Sequence, residues 1–129
     1  MKAPLTPISW GELFDKISIL EIKLQNVQEK NALNNVKKEH DKLCMIYENN
    51  FLEDINAKNL MNDLKQINQK LWKIEDNIRD KERNKTFDEE FIELARSVDL
   101  TNDKRSKIKR KINETFGSEL IEEKSYSDY

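Results

Sequence analysis

Residues 7–24, PISWGELFDKISILEIKL, decide how this chain folds. Pro7 holds Thr6 extended, so no helix can begin earlier. Ser9 followed three residues later by Glu12 is a capping box, each side chain satisfying a backbone donor of the other. Ile8 and Leu13 supply the matching hydrophobic staple. From there Trp10, Leu13, Phe14, Ile17, Leu20, Leu24 and Val27 recur at three- and four-residue steps as one apolar stripe. Ile19 and Ile22 lie off it. A helix apolar on more than one side needs more than one packing partner and belongs at the centre of a bundle. It also carries Asp15, Lys16, Glu21 and Lys23, charges that must be paired or reach water so close to a core.

Outward from this helix, the polar run at 28–31 breaks the phase. Asn31 is expected to cap a second helix over residues 32–48, with Leu33, Val36, His40, Leu43 and Tyr47 on one face. A loop over residues 49–56 follows, with Phe51, Leu52 and Ile55 expected to fold back onto the core. Leu60, Leu64, Ile67, Leu71, Ile74 and Ile78 then alternate steps of four and three, a coiled-coil-like seam. The span to Arg83 is on the order of 40 Å at about 1.5 Å per residue. Thr86 with Glu89 is a second capping box, opening a fourth helix. Its core face reads Phe87, Phe91, Leu94, Ala95, Val98, Ile108, Ile112 and Phe116. The stripe fails over residues 99–107, which predicts a kink or break near Thr101 and Asn102. Gly117 supplies the left-handed stop. In the tail, Leu120, Ile121, Tyr126 and Tyr129 are expected to pack.

So short a link between the third and fourth helices requires an antiparallel hairpin. Counting outward from the turn sets Glu75 and Asp76 opposite Arg96. The expected fold is all-α: a bundle of two antiparallel helical hairpins, about four main helices, with a short packed C-terminal tail. Residues 1–129 form a single helical domain.

Composition narrows the function classes. The 129 residues are 37% charged and contain only two Gly and two Pro, too few for sheets joined by tight turns. A net charge of −2 offers no global attraction to nucleic acid or anionic lipid. Cys44, the single cysteine, can form neither an internal disulfide nor a cysteine-based metal site. No apolar run reaches the roughly 20 residues that span a bilayer, and the first nine residues lack a signal-peptide core. A cytoplasmic protein without membrane contact is expected.

Chemistry has few places to reside. Asp15, Lys16, Glu21 and Lys23 either pair at the rim or join Glu75, Asp76 and Arg96 in a partly buried polar site where perturbed groups could bind a ligand. Six cations crowd residues 104–111, but Ile108 and Ile112 divide them between faces. A solvated face, or a partner for Glu119, Glu122 and Glu123, is the expected role, and nucleic-acid binding is disfavoured. His40 is expected to be a satisfied, half-buried histidine, and Trp10 and Trp72 core anchors. The pairs Glu90 with Glu93 and Glu119 with Glu122 have the one-turn spacing of helical magnesium sites, but such pairs arise by chance in so acidic a helical chain. No phosphate-cradling glycine loop, nucleophile elbow or Cys–His pair is read, and no metal or cofactor is expected.

Four segments resemble a known family: PISWGELFDKISILEIKL at 7–24, LWKIEDNIRDKE at 71–82, FIELARSVDLTNDKRSKIKRKIN at 91–113 and GSELIEEKSY at 117–126. In this order they are similar to domain of unknown function 6165, short proteins of bacteria and their phages. The resemblance implies a compact helical protein, sometimes linked with glycosyltransferases and surface-polysaccharide genes, and no established activity. It carries the polar motif positions onto Ser9, Glu12, Asp15, Lys16, Glu21, Lys23, Glu75, Asp76 and Arg79. It continues through Arg96, Asn102, Asp103, Arg105 and Arg110 to Lys124 and Tyr126. Asp99 departs from the aromatic residue such a pattern implies, and residues 28–59 match poorly.

Two functions follow as alternatives. One is an interaction or accessory module with a protein partner or a second copy, since a seam so regular suits another helix. The other is a small helical enzyme or ligand-binding protein. There an anionic molecule would lie between the first, third and fourth helices, held by Lys16, Arg79, Arg96 and Arg105, with Asp15, Glu21 or Glu75 as acid or base.

Overall fold

Ser9 opens the first helix as the spacing requires: its side chain accepts a hydrogen bond from the Glu12 backbone N–H at 3.1 Å. The structure, a computed structural model, describes residues 1–127. Among these, four helices and no strand form: α1 (Trp10–Asn26), α2 (Lys30–Phe51), α3 (Ile55–Arg83) and α4 (Glu89–Thr115). They pack as two antiparallel hairpins, α1 with α2 and α3 with α4, and α1 touches all three others. That is the arrangement its two apolar faces demanded. Leu13, Phe14, Ile17 and Leu20 are buried on one side and Ile22, only 2% exposed, on the other.

The core is aliphatic along its length and aromatic at one end. Leu13, Ile17, Leu60, Leu64 and Ile112 fill the middle. Trp10, Phe14, Tyr47, Phe51 and Phe116 close the end, the Phe51 and Phe116 ring centroids 4.7 Å apart. Gly11 lies where α1 and α4 approach closely. A Cβ there would stand 2.6 Å from the Lys109 carbonyl oxygen, and its N–H donates to Asn113 Oδ1 at 2.7 Å. Only glycine permits that approach.

Several boundaries differ from the expectation, each for a local reason. Glu29, not Asn31, caps α2, because its longer carboxylate reaches the N–H groups of both Asn31 and Ala32. At its other end the helix runs to Phe51, so the following link shrinks to residues 52–54, with Leu52 and Ile55 exposed instead of folded back. Asp88, not Thr86, caps α4. Thr86 is already engaged in ending α3: its N–H donates to the Lys81 carbonyl while the Lys85 N–H donates to that of Glu82. Lys85 takes the left-handed backbone, φ 51°, that this helix stop needs. Glu12 does not reciprocate the first capping box, because its carboxylate is held by Lys109.

No break interrupts α4, which is continuous through Thr101 and Asn102. The apolar stripe is continued in polar chemistry, Thr101, Arg105, Lys109 and Asn113 recurring every four residues on the inner face. Thr101, Lys109 and Asn113 are buried and Arg105 is half-buried. After Gly117 (φ 60°) the tail stays close to the bundle. Ser118 Oγ accepts from the Trp10 N–H, and Glu122 and Glu123 reach Lys109 and Arg110. Leu120, Ile121 and Tyr126, expected to pack, are exposed, so polar contacts and not apolar burial hold the tail. Tyr129 lies outside the described residues. No helix among the described residues is long and apolar enough to cross a membrane.

Candidate functional site

Two polar clusters sit side by side where α1, α3 and α4 meet. The first is closed and centres on Lys109. Its Nζ lies 2.8 Å from Glu12 Oε2, 3.1 Å from Glu122 Oε2 and 3.4 Å from Asp15 Oδ2. Asp15, 4% exposed, accepts from Asn68 Nδ2 at 2.8 Å. That amide also reaches Ser18 Oγ at 2.7 Å, and the Ser18 hydroxyl donates to the Asp15 carbonyl oxygen. Burial pushes the Glu12 carboxyl up, but the hydrogen bond and charge of Lys109, with Lys16 and Arg105 nearby, together hold it below its ordinary value. Burial likewise works against charge on Lys109, yet Glu12, Asp15 and Glu122 keep it above the usual lysine range. Every charge here has an ionic partner, as a buried ion cluster requires.

The second cluster is an open cleft of about 600 Å³ between α1, α3 and α4. Ile19, Ile22 and Leu71 form its apolar floor, and Asn68 joins it to the Lys109 network. Trp72, Glu75, Asp76 and Arg79 line it from α3, at successive positions of one helix face. Asn102 and Arg105 line it from α4. Among the described residues, none of Glu75, Asp76, Arg79 or Arg105 forms an ion pair within 4.0 Å, although Glu75 and Arg79 are one turn apart. Arg105 Nε is buried with no hydrogen-bond partner. With no protein acceptor, this donor is left to solvent or to a bound molecule.

The eleven sequence candidates therefore divide. The cleft gathers Glu75, Asp76, Arg79, Asn102 and Arg105, with Asp15 behind it on the far side of Asn68. Lys16 is exposed and nearest Glu12. Glu21 points between α2 and α3, 3.6 Å from His40 Nε2 and 3.9 Å from Lys65 Nζ. Lys23 is half-buried in the last turn of α1, and Asp103 is exposed. Arg96 pairs with Glu93 on its own helix, not with Glu75 or Asp76 across the hairpin. The charges bridging that hairpin belong instead to Lys81, with Asp88 and Glu90.

Three residues central to this geometry were not among the candidates. Asn68 and Trp72 occupy helical positions that read as seam or core, yet Trp72 is half-buried at the cleft wall. Lys109 was submerged in the basic run, and only the four-residue step from Arg105 through Lys109 to Asn113 sets it apart. The expectation of no Cys–His pair also needs correcting. His40 and Cys44, one turn apart on α2, place Sγ 3.3 Å from Nε2. Burial pushes the Cys44 thiol up to about 11, helped by the carboxylates of Glu21, Glu48 and Asp41. The thiolate that nucleophilic chemistry needs is thus suppressed at neutral pH. Among the described residues no group of three or more His, Cys, Asp or Glu side chains is placed to hold a metal ion.

Comparison with known families matches residues 5–129 to the one described as a family of unknown function (DUF6165). No curated protein and no solved structure matches the chain.

Proposed function

The chain belongs to the DUF6165 family, and from the open charges of its cleft we propose that it is a small ligand-binding protein whose ligand is an anionic, hydroxylated molecule. The observation that carries this is the state of Glu75, Asp76, Arg79 and Arg105. They share one cleft, and none of them is paired with another charge among the described residues. Glu75, Asp76 and Arg79 are solvent-exposed and Arg105 is half-buried, whereas the buried Lys109 is fully paired. Charges left open around a cavity of ligand size are available to a ligand.

The lining selects the chemistry. Arg79 and Arg105 suit a phosphate or carboxylate, which guanidinium groups bind through two N–H donors. A polyanion would meet Glu75 and Asp76, so one anionic group is the better fit. Those two carboxylates, with Asn102, can accept from and bridge hydroxyl groups. Trp72 offers an indole whose face covers C–H surface. A phosphorylated sugar satisfies all of these. The protein would act in the cytoplasm as one helical domain, holding such an intermediate rather than transforming it.

Calorimetric titration with glucose 1-phosphate, glucose and inorganic phosphate tests the proposal. Glucose 1-phosphate is expected to bind, glucose to bind at least tenfold more weakly, and the Arg79→Ala, Arg105→Met double variant to abolish the difference. No heat from any probe at millimolar concentration, or binding indifferent to the double variant, would overturn it.

A further inference from the structure

The α3–α4 hairpin is longer than the bundle that supports it. Asn68 is bonded to Asp15 and Ser18, which fixes the relative height of α1 and α3. Eight residues remain in α1 after Ser18, so α1 ends about level with residue 76 of α3, given the common rise of about 1.5 Å per residue. Beyond that level α3 and α4 have only each other. The burial pattern changes at the same place. The last buried residue of α3 is Ile74, the first of α4 is Thr101, and no residue from 75 to 100 is buried.

This arm is not built as a polar spacer. Ile78, Phe91, Leu94 and Val98 make its half-buried seam. Phe87, Ile92 and Leu100 are 57%, 48% and 50% exposed. Ile92 and Leu100 lie two turns apart along one line of α4. Its charge is divided along the hairpin. From Asp88 to Leu100, Asp88, Glu89, Glu90, Glu93 and Asp99 face only Arg96 as a cation. From Arg79 to Lys85, four cations outnumber Asp80 and Glu82. Lys81 already serves Asp88 and Glu90 within the hairpin, but Glu89, Asp99 and Lys85 make no ion pair within 4.0 Å among the described residues.

We infer that this arm, residues 77–100, docks on the same arm of a second copy, α4 of each lying against α3 of the other. A two-fold arrangement repeats every contact, so the acidic stretch meets the basic one twice. Two half-covered hairpins become a four-helix bundle, the partner covering Phe87, Ile92 and Leu100. Two like helices laid together by another rotation would oppose carboxylate to carboxylate, which charge disfavours. The arm is short, α4 running about 18 Å from Glu89 to Leu100 at the helical rise. The association is therefore weak, in the micromolar range typical of small interfaces, and sensitive to salt.

Sedimentation equilibrium of the full chain at low salt, across micromolar to several hundred micromolar, tests this. The apparent mass is expected to double with concentration, and Ile92→Glu with Leu100→Glu to keep it at the monomer value while helical circular dichroism is unchanged. Both residues lie outside the core, so this variant separates docking from folding. Lys85→Glu or Glu89→Lys alone is expected to weaken association at least tenfold, and the two reversals combined to restore it. A wild-type mass that stays monomeric throughout, or a dimer indifferent to the Ile92 and Leu100 changes, would overturn the inference. Neither result bears on ligand binding, since no ligand is present.

Discussion

Lys109 and Arg105 are cations one turn apart on the inner face of α4, yet their surroundings are opposite. Lys109 is buried and meets three carboxylates, within 2.8 to 3.4 Å. Arg105 is half-buried at a cleft that also holds two carboxylates, meets neither within 4.0 Å, and leaves its Nε without an acceptor. The difference lies in what α1 presents at each height. Beside Lys109 the close approach at Gly11 brings Glu12 and Asp15 of α1 within reach. A turn further along, α1 presents Ile19 and Ile22, which have no charge to offer. The same helix face thus runs from a closed ion network that fixes α1, α4 and the tail to an open one available for binding.

Breaking the closed side has the largest expected effect. Lys109→Met strands Asp15 as a buried unpaired carboxylate, so urea denaturation should show a loss of about 3–5 kcal/mol. A loss under 1 kcal/mol would mean that the network is solvated and not a structural knot. Asn68→Leu strikes the boundary between the two sides. It removes donors to both Asp15 and Ser18, and should cost about 1–3 kcal/mol by the same measurement.

Acid titration sharpens the contrast without a large structural change. The Glu12 carboxyl is held below its ordinary value, so its contribution is complete above that value and fades as pH falls through the folded one. The stability gap between wild type and Lys109→Met should therefore narrow as pH drops below the usual glutamate range. A constant gap down to pH 3 would remove Glu12 from the network's energetics.

The smallest stability effect belongs to the open side. Arg105→Met deletes a guanidinium that has no ion pair among the described residues, and with it an unmet donor. Melting should show a change within about 0.5 kcal/mol, or a slight gain. If instead it destabilises as strongly as Lys109→Met, the cleft is structural and its charges are not held ready for a ligand.

Much of the fold was legible because its signals are local. Ser9 and its donor partner are three residues apart, and the stripes of α1 and α3 repeat every turn, so neither needs knowledge of distant chain. Errors arose where two local signals competed or where polar residues filled apolar roles. Thr86 has the spacing of a cap for α4, but its backbone is occupied in stopping α3. Thr101, Arg105, Lys109 and Asn113 keep the helical period through the apparent gap in α4, a continuity that hydrophobicity alone conceals.

The candidate site was legible in part. Helical placement and family pattern single out Glu75, Asp76, Arg79, Asn102 and Arg105, and one cleft contains all five. They single out Lys16, Lys23, Arg96 and Asp103 alike, and these lie elsewhere. Nothing in their sequence neighbourhood separates the two groups. Glu93 intercepts Arg96 within its own helix, and that depends on which way a side chain turns.

The sequence by itself determined the class of structure, the central place of α1 and the pairing of α3 with α4. Periodicity and link length are properties of neighbouring residues, and they suffice for that. Only the tertiary structure decided which charges are satisfied. That depends on the rotation and height of three helices relative to one another, set where Gly11 lets α4 close on α1 and where Ile19 and Ile22 leave the cleft without a countercharge.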